Sequence, residues 1–146
     1  MEPLDLTTHP PRGPRETLAG LAFLPRTIDK LRAEQPGGNM GKYFNRPDGM
    51  SAVLCKRAGL DMEELRAVVA AAADEEEVAA WVRERVSPEA AAEVSAKLAT
   101  LRMDRLPPEF QERVRANHPV LAARPDLVFF FDIFEADDAA VFEPKH

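Results

Sequence analysis

The chain holds 146 residues, 45% of them apolar and 30% charged, with a formal net charge of −6. That length suits one domain, which buries roughly 70% of its extended-chain surface and needs neither a metal nor a disulfide to hold a core. The acidic balance argues against a general nucleic-acid binder, since backbone affinity depends on Lys and Arg neutralising phosphates.

The lone cysteine, Cys55, excludes an intrachain disulfide and fits a reducing compartment. The opening MEPLDLTTHPPRGPRE has no apolar signal-peptide core, and no apolar run is long enough to cross a membrane. A cytoplasmic protein without membrane association is expected. Alanine is abundant and favours helix, while Val, Ile and Thr are too scattered for an extensive sheet. The expected fold class is all-α. A single compact multi-helix domain should cover residues 16–146, with an extended Pro-rich N-terminal arm over residues 1–15.

In that arm Pro3, Pro10, Pro11 and Pro14 forbid a regular helix and fit polyproline geometry. His9 to Arg15 could serve as a peptide ligand for an aromatic groove; Leu4 and Leu6 give an arm packed on its own domain something to bury, and favour it. A short helical turn is expected around Glu16–Ala22. It leads into the most organised stretch of the chain, Leu21 to Ala33. Leu21, Leu24, Ile28 and Leu31 recur at three- and four-residue steps and line one helix face. Pro25 suits a first helical position. Arg26, Asp29, Lys30 and Arg32 form the polar face, spaced for Arg26–Asp29 and Asp29–Arg32 pairs. This helix should end near Glu34–Gln35, before Pro36-Gly37-Gly38.

A turn or short irregular hairpin is expected around Lys42–Asn45. Gly37, Gly41 and Lys42 do not make a phosphate-cradling loop: only three residues separate the glycines, Tyr43 follows the lysine, and no strand precedes. Met50–Ala58 reads as a helix closed by Gly59. Asp61 with Glu64 has capping-box spacing ahead of Leu65, Val68, Val69 and Ala72. Asp74 precedes Glu75–Glu77 in a first turn, where negative charge is favoured, and Val78, Trp81, Val82 and Val86 supply the apolar face. Ser87 and Pro88 start a helix through Ala91, Val94, Leu98 and Leu101 that should run to about Arg105. Pro107 and Pro108 break it. Glu109–Ala116 follows with Phe110 and Val114 inward, and Leu127–Phe134 is assigned to helix from its Pro-Asp start. Asp137 and Asp138 are expected to cap a final turn over Ala139–Phe142.

Chemistry leaves few openings. His9, His118 and His146 lack the spacing of a metal site, so no metal and no cofactor are expected. The acids of Glu75–Glu77 and Asp137–Asp138 are accounted for as helix starts. Cys55 reads as a small core residue, because neighbouring Lys56 and Arg57 point elsewhere on a helix. What remains is basic. Residues 1–60 carry nine Lys and Arg against six Asp and Glu, or +3, while residues 61–146 carry ten against nineteen, or −9. Arg12, Arg15, Arg26 and Lys30 are the candidate anion-binding residues, with Arg32, Lys42 and Arg46 nearby and Asp29 as orienting group or base. Guanidinium forks match carboxylate and phosphate oxygens. The competing reading is an internal network that ties the arm to this helix and to Asp132, Asp137 or Asp138, and the charge asymmetry favours it.

Several stretches resemble a small bacterial family catalogued only as a domain of unknown function. They are Asp5-Leu6-Thr7, Pro11-Arg12-Gly13-Pro14-Arg15, Leu24-Pro25-Arg26-Thr27-Ile28-Asp29-Lys30-Leu31-Arg32-Ala33, Tyr43-Phe44-Asn45, Gly59-Leu60-Asp61, Glu75 to Trp81, and Phe131-Asp132-Ile133-Phe134 with Asp137-Asp138. The likeness spans most of the chain. In the family's pattern cysteine often stands where this chain has Arg46, which argues against a shared catalytic thiol. The resemblance brings no assigned activity and carries no functional residue across. The sequence therefore leads to a non-enzymatic binding or interaction module whose basic face meets a small anion or an acidic protein partner. The alternative is a small enzyme acting on an anionic metabolite, with Arg26 and Lys30 binding it and Asp29 as base. A third expectation is homo-oligomerisation through Val128–Phe134.

Overall fold

A computed structural model describes residues 1–142; residues 143–146, and with them His146 and the end of the expected 16–146 domain, lie outside the described residues. Among the described residues the fold is mostly helical: a two-stranded hairpin, β1 (Thr17–Leu18) and β2 (Leu21–Ala22), precedes seven α-helices. These are α1 (Leu24–Ala33), α2 (Met50–Ala58), α3 (Met62–Ala71), α4 (Glu75–Arg83), α5 (Pro88–Ala99), α6 (Pro108–Asn117) and α7 (Phe130–Phe142).

The hairpin replaces the helical turn expected over Glu16–Ala22. Its two central residues, Ala19 (φ 52°) and Gly20 (φ 78°), both have positive φ, the requirement of a tight turn whose twist matches antiparallel strands. Ala-Gly is a weak signal for such a turn, and Ser95 on α5 supports it: its Oγ accepts from Ala22 N–H and donates to Gly20 carbonyl, each at 2.8 Å. Phe23 follows with φ 71° as the residue before α1. A left-handed non-glycine costs about 1–2 kcal/mol; burial of its ring, 1% exposed and stacked on Phe131 at 5.9 Å, offsets that.

Helices α2 to α5 follow the expected punctuation. Gly59 closes α2 with φ 73°. Asp61, Asp74 and Ser87 accept hydrogen bonds from the backbone N–H of Glu64, Glu77 and Ala90. Their apolar stripes, with the hairpin and α1, make the main core: Leu21, Leu24, Ile28, Leu54, Leu65, Val69, Val78, Val82 and Leu98.

Four expectations beyond α5 are corrected. That helix stops at Ala99, six residues short of Arg105, because the chain turns to pair with a later segment: Met103 N–H donates to Val128 carbonyl and Phe130 N–H to Leu101 carbonyl. Residues 127–129 are consequently held by this bridge, and α7 begins only at Phe130. Phe110 on α6 is 40% exposed rather than inward. Asp137 and Asp138 lie within α7, not before a new turn, and both are buried.

Helix α7 joins three apolar groups. Phe131 enters the main core, Ile133 packs with Met103 and Leu121, and Phe142 lies against Leu6, Ala33 and Tyr43. Phe131 and Ile133 are thus buried within the chain, not displayed for a second copy. The N-terminal segment is held by Leu6, 1% exposed, and by a parallel bridge between Asp5 and Asn39. Pro11 and Pro14 are buried. Among the described residues no helix is long and apolar enough to cross a membrane.

Two glycines distinguish space from backbone strain. A Cβ at Gly38 would sit 2.4 Å from Ala33 carbonyl oxygen, whereas one at Gly59 would meet nothing within 4 Å but would force φ +73° on alanine. In urea unfolding, Gly59→Ala should cost about 1 kcal/mol and Gly38→Ala about 2–3 kcal/mol through overpacking; equal losses would contradict this placement of the 34–39 turn.

Candidate functional site

Helix α1 is the centre of the charged site, and it is buried almost all round: Arg26 is 4% exposed, Asp29 5% and Lys30 9%. The polar face of this helix is covered by other elements. The N-terminal segment lies on one side and α7 on another. Contacts with α7 include Phe23, just before α1, stacked on Phe131 and Arg26 paired with Asp138.

A charge so covered must find partners, since an unpaired buried ion is strongly disfavoured. Arg26 makes a two-pronged pair with Asp138, Nη1 to Oδ2 at 2.6 Å and Nη2 to Oδ1 at 3.1 Å, and Nη1 also reaches Arg12 carbonyl at 3.3 Å. Its guanidinium lies over the rings of Phe23, Tyr43 and Phe134 at 5.5–5.9 Å. Tyr43 donates its hydroxyl to Asp138 at 2.7 Å. Burial, then that bond to a carboxylate, raise the Tyr43 hydroxyl well above its usual range. The expected Arg26–Asp29 pair is not formed. Asp29 instead accepts from Arg12: its Oδ2 takes the backbone N–H at 2.8 Å and Nε at 3.1 Å, and its Oδ1 takes Nη2 at 3.1 Å. The Nη groups of Arg12 also hold both oxygens of Glu75 at the start of α4.

Arg15 pairs with Asp132 at 2.8 Å and with Glu135, both on α7. Asp137 accepts from Lys42 Nζ at 2.7 Å and faces His118 Nδ1 at 3.2 Å. Burial alone would raise this carboxyl; the bonds from His118 and Lys42 more than offset it and hold Asp137 below the usual carboxylate range. Among the described residues, Lys30 alone of the four candidate cations makes no ion pair. Desolvation, reinforced by the Arg26 charge, brings its ammonium down to about 7.

The structure thus gathers Arg12, Arg26, Lys30 and Asp29 around α1, with Arg15 further along the same segment on α7. They do not line one pocket. Arg12 and Asp29 line an open cleft of about 700 Å³, with His9, Glu16, Arg32 and Glu75 at its walls; Arg15, Arg26 and Lys30 lie outside it. Glu75, Tyr43 and His118 are the partners that sequence reading missed, whereas Asp132, Asp137 and Asp138 are those the internal-network reading named. Glu75 was accounted for as a helix start; for Asp138 a further signal is that it continues the apolar Phe130–Phe134 stripe at a four-residue step. Cys55 is buried, its thiol pushed up to about 11 by desolvation, as suits a core residue. Among the described residues no three His, Cys, Asp or Glu side chains are grouped to hold a metal ion.

The chain matches the family described as Domain of unknown function (DUF5069) over residues 8–140 and belongs to it. The matched span includes the paired residues of α1 and α7 just described. No curated protein matches the chain.

Lys30 also supplies a pH dependence. Its folded pKa lies below its unfolded value of about 10.4, so the unfolded state holds more protons between the two and stability rises with pH. From pH 7 to about 8.5, below the range where the raised Cys55 thiol acts in the opposite sense, the protein should become more stable to urea. Lys30→Met should remove that rise; a rise of equal size in the variant would contradict the assignment.

Proposed function

We propose that the protein is a non-enzymatic binding module that seats an anionic group, carboxylate or phosphate, on Arg12 in the open cleft. The ligand is a small anion or an acidic segment of a protein partner. One observation carries the reading. Arg12 has two carboxylate partners of unequal permanence: Asp29, whose side chain is 7% exposed, and Glu75, whose side chain is 34% exposed. The buried partner fixes the guanidinium. The exposed one occupies the edge that an incoming anion would take, and exposed pairs are worth only about 0–1 kcal/mol. Glu75 therefore stands in for a ligand that can displace it. Arg32 adds a second cation at the wall, with Nε donating to Glu2 carbonyl at 2.7 Å and no carboxylate partner among the described residues.

Under this reading residues 1–15 act as an extended Pro-rich arm that carries Arg12 to the cleft, and the setting is the cytoplasm, in keeping with a lone buried thiol. The enzymatic alternative draws less support. Both oxygens of Asp29 already accept from Arg12 and Arg26 is committed to Asp138, so of that reading's three residues only Lys30 is without an ion-pair partner among the described residues.

Calorimetric titration at low salt with inorganic phosphate and with a hexaglutamate peptide tests the proposal and separates the two ligand sources. Glu75→Gln should bind at least one probe about fivefold more tightly than the parent, equivalent to about 1 kcal/mol, and Arg32→Gln should weaken it. Failure of both probes to bind Glu75→Gln at millimolar concentration, or binding that the substitution does not tighten, would overturn it.

A further inference from the structure

The cleft beside Arg12 is lined by two kinds of residue, and together they restrict what fits it. Leu4, Pro10 and Pro11 are its apolar wall residues on the N-terminal segment; Leu4 and Pro10 are half-buried and Pro11 is buried. Two consecutive prolines have no N–H, so this stretch offers a ligand ring carbon and no backbone donor for a second charge.

The charged residues limit how much negative charge the cleft accepts. Arg12 and Arg32 bring two positive charges. Asp29 is spent on Arg12, and Glu16 accepts from Gly13 N–H at 3.0 Å. Glu75 is the third carboxylate. It meets Arg12 with both oxygens, one accepting from Nη1 at 3.1 Å and the other from Nη2, the two-pronged arrangement of a guanidinium with a carboxylate. A ligand with one negative charge replaces Glu75 like for like. A dianion in that place sets four negative charges against two positive ones, and crowded like charges are disfavoured.

On the reading that Arg12 seats an anion, we infer that the ligand is a monocarboxylate with an apolar body. Its carboxylate takes both Nη groups of Arg12 in place of Glu75, and its body lies over Leu4, Pro10 and Pro11. The cleft, about 700 Å³, has the size of small-ligand sites, which span about 300–1,000 Å³. The carboxylate fixes orientation and the body supplies affinity, since each fully buried methylene is worth roughly fourfold in binding.

The test is an amide-shift titration of the nitrogen-15-labelled Glu75→Gln chain, followed by nuclear magnetic resonance at about pH 8 and low salt. The probes are acetate, hexanoate, hexan-1-ol and hexyl phosphate, the last a dianion at that pH. Hexanoate should bind more than about tenfold more tightly than acetate, a ratio that four added methylenes reach even when partly covered. It should also bind more tightly than hexanol and hexyl phosphate, with shifts centred on the Leu4, Arg12 and Gly13 amides. The parent chain, in which Glu75 competes, should give the same order at higher concentrations, so the comparison does not hang on one variant. Hexanoate no tighter than acetate, hexanol or hexyl phosphate, or shifts confined to other parts of the chain, would overturn the inference. If phosphate or hexaglutamate still binds Glu75→Gln, the anion seat survives that result; failure of every anion sinks both.

Discussion

The burial of Arg26 is the constraint on which the rest of this structure depends. A guanidinium at 4% exposure is tolerable only if a carboxylate and further acceptors come to it. Asp138 comes from α7, more than a hundred residues later; Arg12 carbonyl comes from the N-terminal segment. Three aromatic rings close over the remaining faces. These contributors come from the N-terminal segment, the residue before α1, the connection after α1 and α7. Satisfying one arginine therefore brings the beginning, the first helix and the last helix into one body.

The same requirement distributes the other charges. Since α7 must approach α1 to deliver Asp138, its neighbouring acids fall near the cations of the first part: Asp132 and Glu135 near Arg15, and Asp137 near Lys42. The excess positive charge of residues 1–60 and the excess negative charge of residues 61–146 meet across this seam. What is left over marks the places with chemical options. Arg12 has one partner too many, the exposed Glu75, and Lys30 has none among the described residues.

Most helix starts and stops were legible because they are local. Asp61, Asp74 and Ser87 each cap a helix with a single hydrogen bond to a residue three positions on, and Gly59 ends one by accepting a positive φ. The hairpin was not legible, since its turn is Ala19-Gly20 and its support is Ser95, far away in sequence. The early end of α5 has the same cause: the pairing of Met103 with Val128 is a tertiary event. At the site, the charge asymmetry pointed to an internal network between α1 and the acids of α7, but the individual pairings were not legible. Periodicity separates polar from apolar positions and says nothing of whether a matching charge will cover the polar ones.

The most direct measurement is a double-mutant cycle between Arg26 and Asp138, read by urea unfolding of Arg26→Met, Asp138→Leu and the combined variant. If the buried pair organises the fold, each single substitution strands a buried charge and loses about 3–5 kcal/mol. The combined variant should then recover at least about 2 kcal/mol relative to the sum of the two. Losses that add to within about 0.5 kcal/mol would show that Arg26 and Asp138 do not depend on one another, and would contradict the account.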